Sequence, residues 1–303
     1  MNYLVFGSLN IDRTYSVEHF VTEGETLSAT KMELFCGGKG FNQAVALARA
    51  GQQVSFAGAV GTDGQMLLDA LRADGIDCRF VKKTDGPSGH AVIQLDTHGQ
   101  NCILILAGAN GEITCGDVDR VLAEFEKGDM LILQNEVSNL DYILFAAKKK
   151  GMIVALNPSP FHEKIKSCDL SAVTYLLINE TEGTQISGCQ EPEQILDVLH
   201  RAYPHMNVVL TLGARGAIYC TDGNERFRCG IYPANTVDST AAGDTFTGYF
   251  LSEITETGDA MAALRKASLA SGLSVSRKGA SPSIPYASDV TQISGKMLLP
   301  FRG

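Results

Sequence analysis

The chain has 303 residues, 45% hydrophobic and 19% charged, which suits one large globular domain with its own core. Its net charge of −9, with no basic run longer than Lys148, Lys149 and Lys150, argues against nucleic acid or an anionic membrane as the main partner. No apolar stretch approaches the roughly 20 residues that span a bilayer, and the first seven residues lack a leader pattern, so the cytoplasm is the expected compartment.

In chain order, residues 3–6 form a short apolar run that reads as a buried strand, with Asn10 and Asp12 just beyond it. Residues 11–35 show no helical period. Next comes Phe35-Cys36-Gly37-Gly38-Lys39-Gly40-Phe41-Asn42-Gln43-Ala44, a glycine turn leading into a helix over 42–50. Such a turn lets a small polar ligand approach the backbone, with Lys39 as a cation and Asn42 as an amide. It is neither GxGxxG nor a Walker A loop, and taken alone it is more often a structural turn. A strand over 54–56 and a helix over 67–73 follow. Segments 90–95 and 101–107 read as a hairpin around Thr97-His98-Gly99.

Val118, Val121, Leu122 and Phe125 then fall at i, i+3, i+4 and i+7 of a helix. Strands over 130–133, 153–156, 175–178 and 208–212 alternate with helices over 140–149 and 195–202. The alternation predicts an α/β fold with a parallel sheet covered on both faces and ligands at the carboxyl ends of its strands. The extended segments that interrupt it, about 11–35 and 88–107, suggest a small separate sheet acting as a lid on a single domain spanning 1–303. Eight cysteines are scattered through the chain without a CxxC pair, so they read as reduced thiols rather than a zinc site or disulfide framework.

The segment with the most chemistry is Val237-Asp238-Ser239-Thr240-Ala241-Ala242-Gly243-Asp244-Thr245-Phe246. Small residues open a helix whose unpaired N–H groups and positive dipole end favour a phosphate oxygen. Asp244, in its first turn, can accept a proton from a hydroxyl that attacks the phosphate. The competing reading is that Ser239 or Thr240 caps the helix and Asp244 complements its dipole. Asn179 and Glu182, three apart after a buried strand, can orient a hydrated Mg²⁺ or simply open a helix. Thr211, Gly213 and Gly216 form a strand-to-turn passage suited to a flat or phosphorylated ligand. Asn10, Asp12, Glu136 and Asn157 at strand ends suit a neutral polyol, whose hydroxyls need both donors and acceptors.

Six ordered segments carry a resemblance: Gly7-Ser8-Leu9-Asn10-Ile11-Asp12, Gly37 to Ala44, Asn157-Pro158-Ser159-Pro160, Asn179 to Glu182, Thr211-Leu212-Gly213 and Asp238 to Phe246. Over residues 4–286 the chain resembles the ribokinase family of carbohydrate kinases, the phosphofructokinase B type. The resemblance implies a three-layer α/β sandwich with a small β lid that often forms a homodimer interface. It implies transfer of the γ-phosphoryl of Mg-ATP to a primary hydroxyl, D-ribose to D-ribose 5-phosphate being the expected reaction. Asp244 would be the base and the N–H groups from Ala241, Ala242 and Gly243 to Asp244 an anion hole. Asn10, Asp12, Gly38, Lys39, Asn42 and Glu136 would hold the sugar. Asn179, Thr211, Gly213, Gly216 and Ser268 would hold ATP, with Glu182 organising Mg²⁺ through water. Asp238, Thr240, Ser274, Arg277, Gly279 and Ser283 would form a site for K⁺.

Other readings stay open. A nucleoside would want an aromatic lid pocket, which Phe41 and His90 could begin, although the Phe41 ring could instead pack behind the glycine turn. Fructose or another sugar would fit the same fold. A sugar-binding regulator would need neither Asp244 nor the glycine-led opening, and a dinucleotide enzyme would need a GxGxxG that is missing after the first strand.

Overall fold

Every residue of the first strand, β1 (Tyr3–Phe6), is buried, because it runs through the middle of a sheet covered on both faces. The computed structural model describes residues 1–302. After β1 come β2 (Asn10–Ser16), β3 (Lys31–Gly37), α1 (Lys39–Arg49), β4 (Val54–Val60), α2 (Gln65–Ala73) and β5 (Asp77–Lys83). The hairpin β6 (Gly89–Leu95) and β7 (Asn101–Leu106) is followed by α3 (Cys115–Ala123), β8 (Met130–Gln134), α4 (Leu140–Lys150) and β9 (Ile153–Asn157). Then come β10 (Tyr175–Asn179), α5 (Glu180–Ser187), α6 (Pro192–Ala202) and β11 (Asn207–Thr211). The rest is β12 (Ala217–Cys220), β13 (Arg226–Cys229), α7 (Ala242–Thr257), α8 (Ala260–Val275) and α9 (Ala287–Gln292).

Nine strands form the large sheet in the order β13-β12-β11-β10-β9-β8-β1-β4-β5. It is parallel from β11 to β5, and β12 and β13 add antiparallel strands at one edge. Side-chain alternation splits the core. Tyr3, Val5, Met130 and Ile132 pack with Phe41, Leu67, Tyr249 and Leu264 from α1, α2, α7 and α8. Leu4, Phe6, Leu131 and Leu133 pack with Val118, Ile143 and Ile195 from α3, α4 and α6. This is a three-layer α/β sandwich. At its carboxyl edge the strands end on polar residues in register, Gln134 beside Asn157 and Asn179 beside Thr211.

A second sheet, β3-β2-β6-β7, takes its strands from the two segments expected to form a lid. At its hairpin tip the Asp96 carboxylate accepts from the N–H groups of His98 and Gln100, and Gly99 has φ 77°. Among the described residues no helix is long and apolar enough to cross a membrane.

Some boundaries differ from the sequence expectation. α1 begins at Lys39 rather than 42, so Lys39 and Asn42 share its first turn. β4 runs on to Val60, and β11 stops at Thr211, leaving Leu212 to lead into a 3₁₀ turn. β5 escapes sequence reading because DCRFVKK is charged and only half-buried. α8 escapes because Ala, Ser and Gly are buried nearly all round it, so it shows little apolar periodicity.

Candidate active site

The start of α7 has no side-chain cap. Its N-cap is Ala241, held in the left-handed region at φ 61° by the Ala242 N–H donating to Ser239 O (3.2 Å) and the Thr245 N–H to Ala241 O (2.8 Å). A left-handed alanine costs of order 1–2 kcal/mol, the kind of local strain that clusters at functional sites. The alternative in which Ser239 or Thr240 caps the helix is therefore corrected: the Thr240 N–H and hydroxyl both turn to the Asp238 carboxylate, at 2.9 and 2.6 Å. A Cβ on Gly243 would meet nothing within 4 Å, so this glycine faces open space.

Asp244 is only 7% exposed, and each carboxylate oxygen has a neutral donor. The Asn42 amide donates to Oδ2 at 3.1 Å and the Gln43 amide to Oδ1 at 2.9 Å. The glycine turn and the opening of α7, some 200 residues apart, thus meet at one carboxylate. Gly248 permits this close crossing of α1 and α7, since a Cβ there would lie 2.5 Å from Ala46 Cβ and 2.8 Å from Leu47 N.

The glycine turn is also packed too tightly for side chains. A Cβ on Gly37 would stand 2.1 Å from Asp12 Oδ2, and one on Gly40 2.5 Å from Ser8 N, while Gly38 has φ 96°. Around it, Glu136 accepts from the Lys39 N–H (2.9 Å) and the Ser8 hydroxyl. Burial, then the nearby Glu136, pushes Asp12 up to about 7. Burial likewise raises Glu136, against the Ser8 and Lys39 hydrogen bonds. Burial opposes the charge of Lys39, but Asp244, Glu136 and Glu182 outweigh it and hold the ammonium above its usual pKa. Asn10 Oδ1 accepts from Asn110 Nδ2 at 2.8 Å, which leaves the Asn10 NH₂ for other partners. The buried Asn42 Oδ1 has no partner.

Next to this group lies a cleft of about 240 Å³ lined by Lys39, Asn157, Ser159, Asn179, Glu182, Thr211 and the turn from Ala241 to Asp244. Asn179 and Glu182 form a reciprocal cap: the Glu182 N–H donates to Asn179 Oδ1 (2.9 Å) and the Asn179 N–H to Glu182 Oε2 (3.0 Å). The helix-opening reading of this pair holds, yet Glu182 is buried rather than solvated. It accepts from the Ser159 hydroxyl, and burial raises its pKa.

Not every expected residue reaches the cleft. Gly213, Gly216 and Ser268 lie outside its lining. A Cβ on Gly216 would stand 2.2 Å from Cys229 O, and the buried Ser268 hydroxyl faces Cys229 Sγ at 3.8 Å. Phe41 is fully buried in the core, so its ring does not wall a substrate pocket. His90 is half-buried on the lid, its Nδ1 3.2 Å from Ser88 O. Behind the α7 turn, the Gly279 N–H donates to Asp238 Oδ2 (2.9 Å), and the Ser274 and Ser283 hydroxyls pair at 2.8 Å. Burial opposes the Asp238 charge, but bonds from Thr240 and Gly279 hold its pKa below normal. The Ser274 carbonyl already accepts from the Arg277 N–H (3.0 Å), and the Arg277 guanidinium turns away to Asp289. The sequence does not mark Gln43, Gln134, Asn110 or Ser8 as site residues. Gln43 and Ser8 stand next to glycine turns, but nothing in their spacing says which neighbour they serve.

A buried carboxylate beside an uncapped helix N-terminus and a trapped lysine is suited to moving a phosphoryl group onto a hydroxyl. Residues 2–287 match the pfkB family of carbohydrate kinases. The chain is 34% identical to a ribokinase of Haemophilus influenzae, over 93% of this chain and 94% of that one. It is 33% identical to a deoxyribokinase of Salmonella typhi, over 94% and 96%. The structure of Arabidopsis thaliana ribokinase complexed with ribose and ATP superposes with a TM-score of 0.84 at 31% identity, covering 98% of this chain and 99% of that one. The chain belongs to the pfkB family of carbohydrate kinases, phosphotransferases that act on an alcohol group.

Proposed function

We propose that this kinase transfers the γ-phosphoryl of ATP to O5 of D-ribose, giving D-ribose 5-phosphate, with Asp244 as general base. The observation that carries the reading is the meeting of the α1 amides and the uncapped α7 N-terminus at Asp244. The hydroxyl proton passes to Asp244, and the N–H groups of the Ala241–Asp244 turn stabilise charge on the moving phosphoryl. Lys39, which lines the cleft and lies among Asp244, Glu136 and Glu182, stands between the sugar and phosphate ends. Asn10, Asp12, Gly38, Asn42 and Glu136 hold the sugar. Asn179 and Thr211 border the nucleotide, and Gly213, Gly216 and Ser268 would meet it only at its outer end.

Ribose is favoured because the site offers both donors and acceptors: the Asn10 NH₂, the unpartnered Asn42 carbonyl, and the carboxylates of Asp12 and Glu136. Leaving one such buried group unpaired costs about 1–3 kcal/mol, roughly 5- to 150-fold in selectivity. The deoxyribokinase relative favours 2-deoxyribose as the second reading. The test is kcat/KM for ribose, 2-deoxyribose, fructose and adenosine. Ribose is expected to lead each by about tenfold or more. Another substrate ahead of ribose by that factor overturns the sugar assignment.

Mg²⁺ and K⁺ complete the reading. Glu182 would hold Mg²⁺ through water, most of the shell coming from water and phosphate, since among the described residues no three His, Cys, Asp or Glu sit so that they could hold a metal ion. When bound, Mg²⁺ would neutralise phosphate charge. Asp238 and the carbonyls of the Thr240, Arg277 and Gly279 turns, with Ser283 beside them, would hold K⁺ and fix the α7 turn. The Ser274 carbonyl, which also accepts from the Arg277 N–H, keeps a second lone pair for the ion. Exchanging Na⁺ for K⁺ at constant ionic strength is expected to raise kcat severalfold. Equal rates, together with an unaffected Asp238→Ala, exclude the site.

The lid is proposed as a homodimer interface, and all eight cysteines are free, in keeping with the cytoplasm. Edge strand β7 exposes Ile103, Leu104, Ile105 and Leu106, with Leu104 at 72%. Sedimentation is expected to give about twice 32.4 kDa, and Leu104→Glu the monomer. A monomeric parent contradicts this.

A further inference from the structure

The amide that anchors Asp244 is itself anchored. Gln43 Oε1 accepts from Gln134 Nε2 at 2.7 Å, and both glutamines are fully buried, 91 residues apart on α1 and the end of β8. The carboxylate dictates the direction of the chain. An ionised Asp244 only accepts, so Gln43 must turn its NH₂ to it, and its carbonyl is then free only to accept from Gln134. Gln134 Oε1 ends the chain without a partner, 2.3 Å from where a Cβ on Gly7 would stand. Gly7 leaves the room that Gln134 occupies.

We propose that Gln43, held by Gln134, is a positioning residue for Asp244. It fixes Oδ1, so that Oδ2, on the side of Asn42, is the oxygen that takes the proton from the sugar hydroxyl. The proposal rests on Asp244 being the base. The charged groups around Asp244 are Lys39, Glu136 and Glu182. A neutral amide anchors the base without adding a second cation, which would weaken it as a proton acceptor. Because Gln43 is fully buried, with its amide on Asp244 and its carbonyl taken by Gln134, its loss should act on turnover and not on sugar binding.

The experiment compares Gln43→Met, Gln43→Glu, Gln134→Glu and Asp244→Asn for kcat, KM, the pH profile of kcat and thermal melting. Gln43→Met is expected to lose about 10- to 100-fold in kcat with the sugar KM within about threefold. Gln43→Glu sets a second carboxylate against Oδ1, so the acid limb of kcat moves up by about one pH unit or more. Gln134→Glu, which does not touch Asp244, demands the Gln43 NH₂ once ionised and turns its carbonyl against the base, so kcat falls as pH rises. Two results overturn the proposal in different ways. Folded Gln43 variants within about twofold of the parent in kcat, with an unmoved acid limb, remove the positioning role while an inactive Asp244→Asn keeps the base. An Asp244→Asn within a few-fold of the parent removes the base and this proposal with it. If Gln43→Met does not fold, the isosteric Gln43→Glu decides through its pH profile.

Discussion

Asp244→Asn is expected to fold like the parent and to lose about 10²- to 10⁴-fold in kcat, the usual worth of a positioned general base. The fold survives because the partners can adapt. The new amide keeps one carbonyl for Gln43, and its NH₂ can donate to Asn42, whose Oδ1 has no partner in the native chain. Its KM for ATP should stay within about threefold, since an uncharged isostere leaves the α7 N–H groups in place. Steady-state kinetics beside a thermal melt checks this, and kcat within a few-fold of the parent removes Asp244 from the mechanism.

Gly40→Ala is expected to act on fold and activity together. The added Cβ would sit 2.5 Å from Ser8 N and 2.7 Å from Gly7 C and Cα, all backbone, so no side chain can swing away. Either α1 or the β1–β2 connection must shift, at about 1–3 kcal/mol. Such a shift displaces Lys39 and Asn42, and a misplacement of order 1 Å costs about 10²-fold in rate. Gly243→Ala is the contrast: its Cβ meets nothing in the protein, so the melt should not move while turnover falls if phosphate approaches that turn. Urea denaturation and kcat of the two variants separate a packing glycine from a ligand-facing one. A Gly40→Ala of unchanged stability would contradict the packing argument.

Much of this architecture was legible in the sequence, for physical reasons that differ by region. Central strands such as β1 and β8 are short apolar runs because both faces are buried, and the glycine turn and the α7 opening carry rare compositions. What a single chain cannot show is which distant groups meet. Nothing near Gln43 names Asp244 or Gln134 as its partners, and nothing near Asn10 names Asn110, because these bonds cross between elements far apart in sequence. Phe41 could have faced ligand or core on sequence alone, and the packing of α1 against the sheet sends it inward. Ser268, on a helix buried over most of its surface, turns to Cys229.

The most direct test follows phosphorus. With the parent enzyme, Mg·ATP, K⁺ and D-ribose, ³¹P NMR should show one new phosphomonoester coupled to the two C5 protons, equimolar with ADP. ADP formed without a sugar phosphate, a phosphate coupled to the anomeric proton, or no turnover of ribose would contradict the account.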